Sequence, residues 1–126
     1  MNLVDSSGWL EYLADGPNAS FYEKPLGVSG ELIVPTLCLY EVFKVVLRER
    51  GESDAIQAAA LMQQSRLAEL TGDVALLAAR LSLKNKIPMA DSIIAATAAL
   101  FKAVIWTQDE DFKALEGVKF IPKKKA

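Results

Sequence analysis

Histidine is absent from this sequence, and cysteine occurs once, at position 38. Without imidazole there is no Ser-His-Asp hydrolysis, no histidine general base and no histidine-ligated zinc. A single thiol excludes an internal disulfide framework and a cysteine-rich zinc site. No apolar run reaches the roughly 18 residues that a membrane-crossing helix needs. The opening Met1-Asn2-Leu3-Val4-Asp5 has neither the basic region nor the long apolar region of a secretory signal. An excess of one charge is missing too. The 14 basic and 16 acidic side chains leave a net charge of −2, which does not suit a protein that coats nucleic acid by bulk positive charge. The expected setting is soluble, reducing and cytoplasmic. The chemistry left open must use carboxylates, hydroxyls, lysine, arginine or a hard metal.

What is present is an ordinary globular chain. Its 126 residues suit one domain, and 52% apolar with 24% charged residues is enough for a core without staples. Leu3-Val4 reads as the end of a buried strand, followed by Asp5-Ser6-Ser7 as a helix start and a helix to about Leu13. A second helical piece covers Ala19 to Pro25. Glu31 to Val34 reads as a strand ended by Pro35, and Thr36 to Arg50 as a helix closed by Gly51. Further helices are expected over Ser53–Ser65 (capped by Ser53 or Asp54), from Thr71-Gly72-Asp73 to about Lys86, over Met89–Lys102 behind Pro88, and over Asp109–Leu115. Strands are expected at Leu67–Leu70, Ala103–Thr107 and Val118–Ile121. Alternating strands and helices predict a parallel sheet with helices on both faces. In such sheets, sites lie outside the carboxyl ends of the strands.

Two acids fall at such ends, Asp5 and Asp109. Each could instead be a helix cap. Asp91, in Pro88-Met89-Ala90-Asp91-Ser92-Ile93-Ile94, is the only charge between Lys86 and Lys102. It falls in a first helical turn, where the helix dipole favours an anion whether or not a site is present. Glu41 lies in the apolar stretch Leu37 to Phe43, on a face with positions 37, 38, 44, 45 and 48. Pairing with Lys44 or Arg48 is its alternative role. Asp111 and Glu110 read as solvated first-turn residues. If the acids converge, they raise one another's pKa and repel, and a hard divalent cation is the physical remedy. Such an ion can activate water and orient a phosphate, so metal-assisted phosphodiester hydrolysis is the chemistry this toolbox best supports.

Taken together, these segments resemble PIN-domain proteins, and within them the VapC-type toxin ribonucleases of toxin–antitoxin pairs. The marks are Val4-Asp5-Ser6-Ser7-Gly8-Trp9-Leu10-Glu11-Tyr12, Leu39-Tyr40-Glu41-Val42, Ala90-Asp91-Ser92-Ile93-Ile94-Ala95-Ala96-Thr97-Ala98 and Thr107-Gln108-Asp109-Glu110-Asp111-Phe112. The resemblance covers nearly the whole chain. It implies a three-layer α/β/α sandwich over residues 1–122 with a basic tail at 123–126, and endonucleolytic cleavage of RNA. It also implies Asp5, Glu41, Asp91 and Asp109 as the acidic quartet, with Asp5, Asp91 and Asp109 as ligands to magnesium or manganese. Glu41 would act through water or position the nucleophile. Ser6 and Thr107 would hydrogen-bond the carboxylates or the substrate phosphate, with Asp111 as a fifth candidate. The implied partners are RNA, a small cognate antitoxin and a second copy of the chain, with no membrane.

Two other classes stay in view. A catalytically silent PIN-like interaction module would keep the acidic pocket and act by binding. A receiver-type signalling domain needs an acidic pair after the first strand, and Ser6 stands beside Asp5. A haloacid-dehalogenase-like phosphatase lacks its second aspartate, because Ser7 stands two residues after Asp5. Lys44, Arg48, Lys84, Lys86, Lys102 and the tail lysines are the candidate positive rim for RNA. Trp9, Tyr12 and Tyr40 are the candidate aromatic anchors for an antitoxin, with a place in the domain's own core as the alternative for Trp9.

Overall fold

The computed structural model describes residues 1–125; Ala126, the last residue of the expected basic tail, lies outside them. Five short strands and six α-helices alternate along the described residues. The strands β1 (Asn2–Val4), β4 (Val104–Thr107) and β5 (Val118–Phe120) form one parallel sheet in the order β1-β4-β5. The strands β2 (Ile33–Pro35) and β3 (Arg66–Ala68) pair in parallel beside it, and a bridge from Asn2 to Leu32 joins the two pieces. The architecture is the expected three-layer α/β/α sandwich.

The helices are α1 (Ser6–Leu13), α2 (Ala19–Leu26), α3 (Thr36–Arg50), α4 (Glu52–Met62), α5 (Gly72–Asn85) and α6 (Met89–Leu100). Three residues suffice for β1 because it is central. Leu3 and Val4 are both fully buried, one on each face, as a strand covered on both sides requires. They share a core with Val34, Cys38, Val42, Met62, Ile94, Ile105, Trp106 and Phe112. Burying each large aliphatic side chain of this kind stabilises by about 1.5–3 kcal/mol. Gly8 lets α1 lie close on β1. A Cβ there would stand 2.5 Å from the Tyr22 ring and 2.6 Å from Val4 Cγ1.

Several expected boundaries shift. Glu31 belongs to a 3₁₀ turn (Ser29–Glu31), and Pro35 closes β2 from inside, its φ of −59° leading into α3. The α4 helix begins at Glu52 and ends at Met62. Neither Ser53 nor Asp54 caps it; Ser53 Oγ instead accepts from Gln57 one turn on. The expected helix over Asp109–Leu115 is a single 3₁₀ turn, Glu110–Phe112. Trp9 is 2% exposed and belongs to the core, so it is no surface anchor. No helix among the described residues is long and apolar enough to cross a membrane.

Candidate active site

All paired strands run the same way, so β1 and β4 end at the same rim and deliver Asp5 and the Thr107–Asp109 turn side by side. Asp5 is 2% exposed. Its carboxylate is the N-cap of α1, accepting from the Gly8 N–H at 3.0 Å. It also accepts from Ser7 Oγ at 2.9 Å and, through Oδ2, from Thr107 Oγ1 at 2.8 Å. Capping and site placement therefore coincide in one side chain. Burial pushes its pKa up to about 6, partly offset by the hydrogen bonds from Thr107, Gly8 and Ser7; the negative field of Asp109 adds to the rise.

Thr107 relays this order onward. Its Oγ1 accepts from the Asp109 N–H at 2.9 Å, and Asp109 Oδ1 in turn accepts from the Asp111 N–H at 2.9 Å. Asp91 enters from the first turn of α6. Carboxylate oxygens of Asp91, Asp109 and Asp111 lie within 4.8 Å of one another. Burial pushes the Asp91 carboxyl up to about 8, helped by its hydrogen-bonding contact with Asp111 and by the negative charges of Asp109, Asp111 and Asp5. Glu41 projects from the middle of α3 toward the same rim, where Ser6 Oγ donates to its Oε1 at 2.7 Å. It does not pair with Lys44 or Arg48. Lys44 sits 5.6 Å above the Tyr40 ring, and Arg48 bonds Glu49.

The structure thus gathers Asp91, Asp109 and Asp111 into one cluster, with Asp5 buried beside it and Glu41 reached through Ser6. Asp111 is exposed, yet one of its carboxylate oxygens lies within 4.8 Å of those of the other two. Among the described residues, the ion pairs are Arg48–Glu49 and Lys113–Glu110, so no basic side chain neutralises these five acids. Hard oxygen donors, closely spaced and without a cationic partner, fit a divalent cation. A groove of about 480 Å³ between α1, α3 and α4, lined by Leu10, Leu13, Val46, Ala58 and Leu61 among others, contains none of these acids.

A family model for the PIN domain matches residues 3–118. The chain belongs to the PIN-domain family. Solved structures share the PIN architecture seen here. One is a toxin–antitoxin complex from Klebsiella pneumoniae, at 19% identity and a TM-score of 0.80, covering 94% of this chain and 96% of that one. Another is VapC20 of Mycobacterium tuberculosis, a sarcin–ricin loop cleaving toxin, at 19% identity and a TM-score of 0.78, covering 94% and 97%. A third is FitAcB from Neisseria gonorrhoeae, at 20% identity and a TM-score of 0.78, covering 97% and 98%. At such identities the likeness is one of fold. No curated protein sequence matches the chain.

Around the acids, this PIN domain uses residues that the sequence did not single out. Ser7 bonds both oxygens of Asp5, and its place in Asp5-Ser6-Ser7 was the available signal. Asn18 and Gln108 form a buried ring. Asn18 Nδ2 donates to Gln108 Oε1 at 3.1 Å, and the Asn18 N–H donates to Glu11 Oε2 at 2.6 Å. Gln108 Nε2 reaches back toward Glu11 Oε1 at 3.5 Å, at the edge of a hydrogen bond. Ninety residues separate Asn18 from Gln108, so no local pattern could announce the pair.

Proposed function

We propose that this PIN domain is a metal-dependent endoribonuclease and the toxin of a type II toxin–antitoxin pair. The observation that carries the reading is the cluster of Asp91, Asp109 and Asp111 beside Asp5 at the strand ends, with no basic partner among the described residues. Asp91, Asp109 and Asp111 would hold a magnesium or manganese ion, with Asp5 against it. When bound, such an ion supplies electrostatic stabilisation for a phosphodiester under attack and acidifies water.

The protein's own part is orientation and proton control. The Thr107 and Ser7 hydroxyls and the Gly8 N–H fix the Asp5 carboxylate in one rotamer, which limits reorganisation during reaction. Asp91, its carboxyl pushed up to about 8 by burial and by its acidic neighbours, would give up a proton in binding a cation at neutral pH. Glu41 is tethered through Oε1, while its Oε2 has no hydrogen bond among the described residues. That oxygen is available to orient a water or a ribose hydroxyl.

The test is cleavage of RNA by the purified protein with magnesium or manganese against chelator, with Asp91→Asn alongside. Cleavage that persists in chelator, or in Asp91→Asn, contradicts the reading. The pairing with an antitoxin is supported by the names of the similar structures, several of which are toxin–antitoxin complexes. We expect a small antitoxin to lay an arginine or lysine near Asp5, Glu41, Asp91 and Asp109, where a guanidinium can bind carboxylates bidentately. Co-purification with the product of the adjacent gene, followed by loss of cleavage, tests that part separately. A homodimer and a cytoplasmic site of action belong to the same proposal.

A further inference from the structure

Charge is unevenly distributed along this chain. Residues 113–125 carry five lysines (Lys113, Lys119, Lys123, Lys124, Lys125) against Glu116 alone, a net of +4. The rest of the chain carries nine basic against fifteen acidic side chains, a net of −6. A mild total therefore hides an acidic body with a basic end, and such asymmetry is a footprint of nucleic-acid contact.

The basic end is fastened to the rim that carries the acids. β5 runs parallel to β4 with Phe120 opposite Thr107, and the Ile121 N–H donates to the Thr107 carbonyl at 3.0 Å. Asn18, 1% exposed, donates through the same Nδ2 to the Pro122 carbonyl at 3.0 Å and to Gln108 Oε1 at 3.1 Å. Gln108 stands between Thr107 and Asp109. Lys123 therefore leaves the fold one residue beyond a carbonyl tied to the acid-bearing turn, and Lys123–Lys125 are exposed there. Two further lysines flank this edge, one on each face of β5, since Lys119 and Phe120 are successive strand residues. Lys119 Nζ sits 4.6 Å from the Trp106 ring centroid and Lys113 Nζ 5.5 Å from that of Phe120. Lys102, expected to join a positive rim, precedes β4 and so stands at the opposite end of the sheet, where Arg66 lies over Phe101.

A phosphate approaching this cluster of acids, which no basic side chain among the described residues offsets, is repelled, so a polyanionic substrate needs attraction from outside the cluster. We propose that Lys113, Lys119 and Lys123–Lys125 form a phosphate-binding track that carries single-stranded RNA across the β5 edge to the acidic rim. The proposal rests on the nuclease reading above. Lysine ammonium groups are point charges on flexible stems, and contacts to phosphate carry no sequence information. Trp106 is 6% exposed, leaving no open indole face for a base to stack on, so the track reads backbone and not bases.

The experiment measures anisotropy of a fluorescent, mixed-sequence single-stranded RNA over a salt series in chelator. It is done in Asp91→Asn protein to prevent cleavage, with and without Lys123→Gln/Lys124→Gln/Lys125→Gln, and with Lys102→Gln as the opposite-rim control. The salt slope should fall by about 0.7 for each lost contact, about 2 for the triple variant, with binding weakened roughly tenfold or more near physiological salt. The control should match the parent, and in the Asp91-bearing protein the triple variant should keep the wild-type melting shift on adding manganese. If the parent binds RNA and the triple variant shows the same slope and affinity, the track is wrong while the nuclease reading stands. If the parent binds no RNA and wild-type protein cleaves none, both fall together. Tail-dependent binding to anionic lipid vesicles in place of RNA would also overturn the track.

Discussion

Replacing Asp5 with asparagine should stabilise the metal-free protein at neutral pH, and the gain should disappear in acid. The Asp5 carboxyl is 2% exposed, and its pKa rises from 3.8 to about 6 on folding. The folded chain thus holds this proton more tightly than the unfolded chain does. Below 3.8 both states are protonated and the site costs nothing; the penalty grows between 3.8 and about 6 and is complete above. A shift of about two units corresponds to about 3 kcal/mol. Asparagine keeps the Oδ1 that caps Gly8, but it sets an amide against Thr107 Oγ1, which gives back about 1 kcal/mol. The net gain is about 2 kcal/mol, or roughly 8 °C in Tm for a domain of this size. Urea unfolding of both proteins in chelator, from about pH 4 to about pH 8, measures it. A difference that does not change with pH, or a variant less stable than wild type at pH 8, would refute the reasoning.

Asp91, raised to about 8, must lose a proton when a cation binds at neutral pH. Manganese affinity should therefore fall as pH drops below about 8, toward tenfold per unit, and calorimetry in buffers of different ionisation enthalpy should register about one released proton. Asp91→Asn and Asp109→Asn should each abolish RNA cleavage while circular dichroism stays that of the folded protein; an active variant would remove that residue from the site. Gly8→Ala should destabilise by about 1–3 kcal/mol, because its methyl group would meet Tyr22 and Val4 at 2.5 and 2.6 Å. A denaturation midpoint equal to wild type would show that α1 can lift off β1 without loss.

The element order was legible because each signal was local. Thr36–Arg50 is bounded by Pro35 and Gly51, and the helix runs between those marks. Asp5 could be read both as a cap and as a rim acid, and it is both. Glu41 was ambiguous from spacing. Its partner is Ser6, 35 residues away, and only the packing of α3 against α1 brings them together. Asp111 read as a solvated first-turn residue because it is exposed. What sequence could not show is that the 3₁₀ turn bends it back toward Asp91. The Asn18–Gln108 ring was illegible for the same reason, because the bonds that close it on Gln108 span 90 and 97 residues of sequence.

The pairing of β1 with β4 has a consequence for how such a protein is made. Asn2 lies opposite Val104, so β1, once it leaves a ribosome, waits for α1 through α6 to be made before its neighbour exists. Asp5 is synthesised well before Asp91, Asp109 and Asp111. No chain that stops short of β4 can assemble the cluster, and contacts of such long sequence separation form late and slowly. The acidic centre is thereby silent until β4 and the turn that follows it have been made.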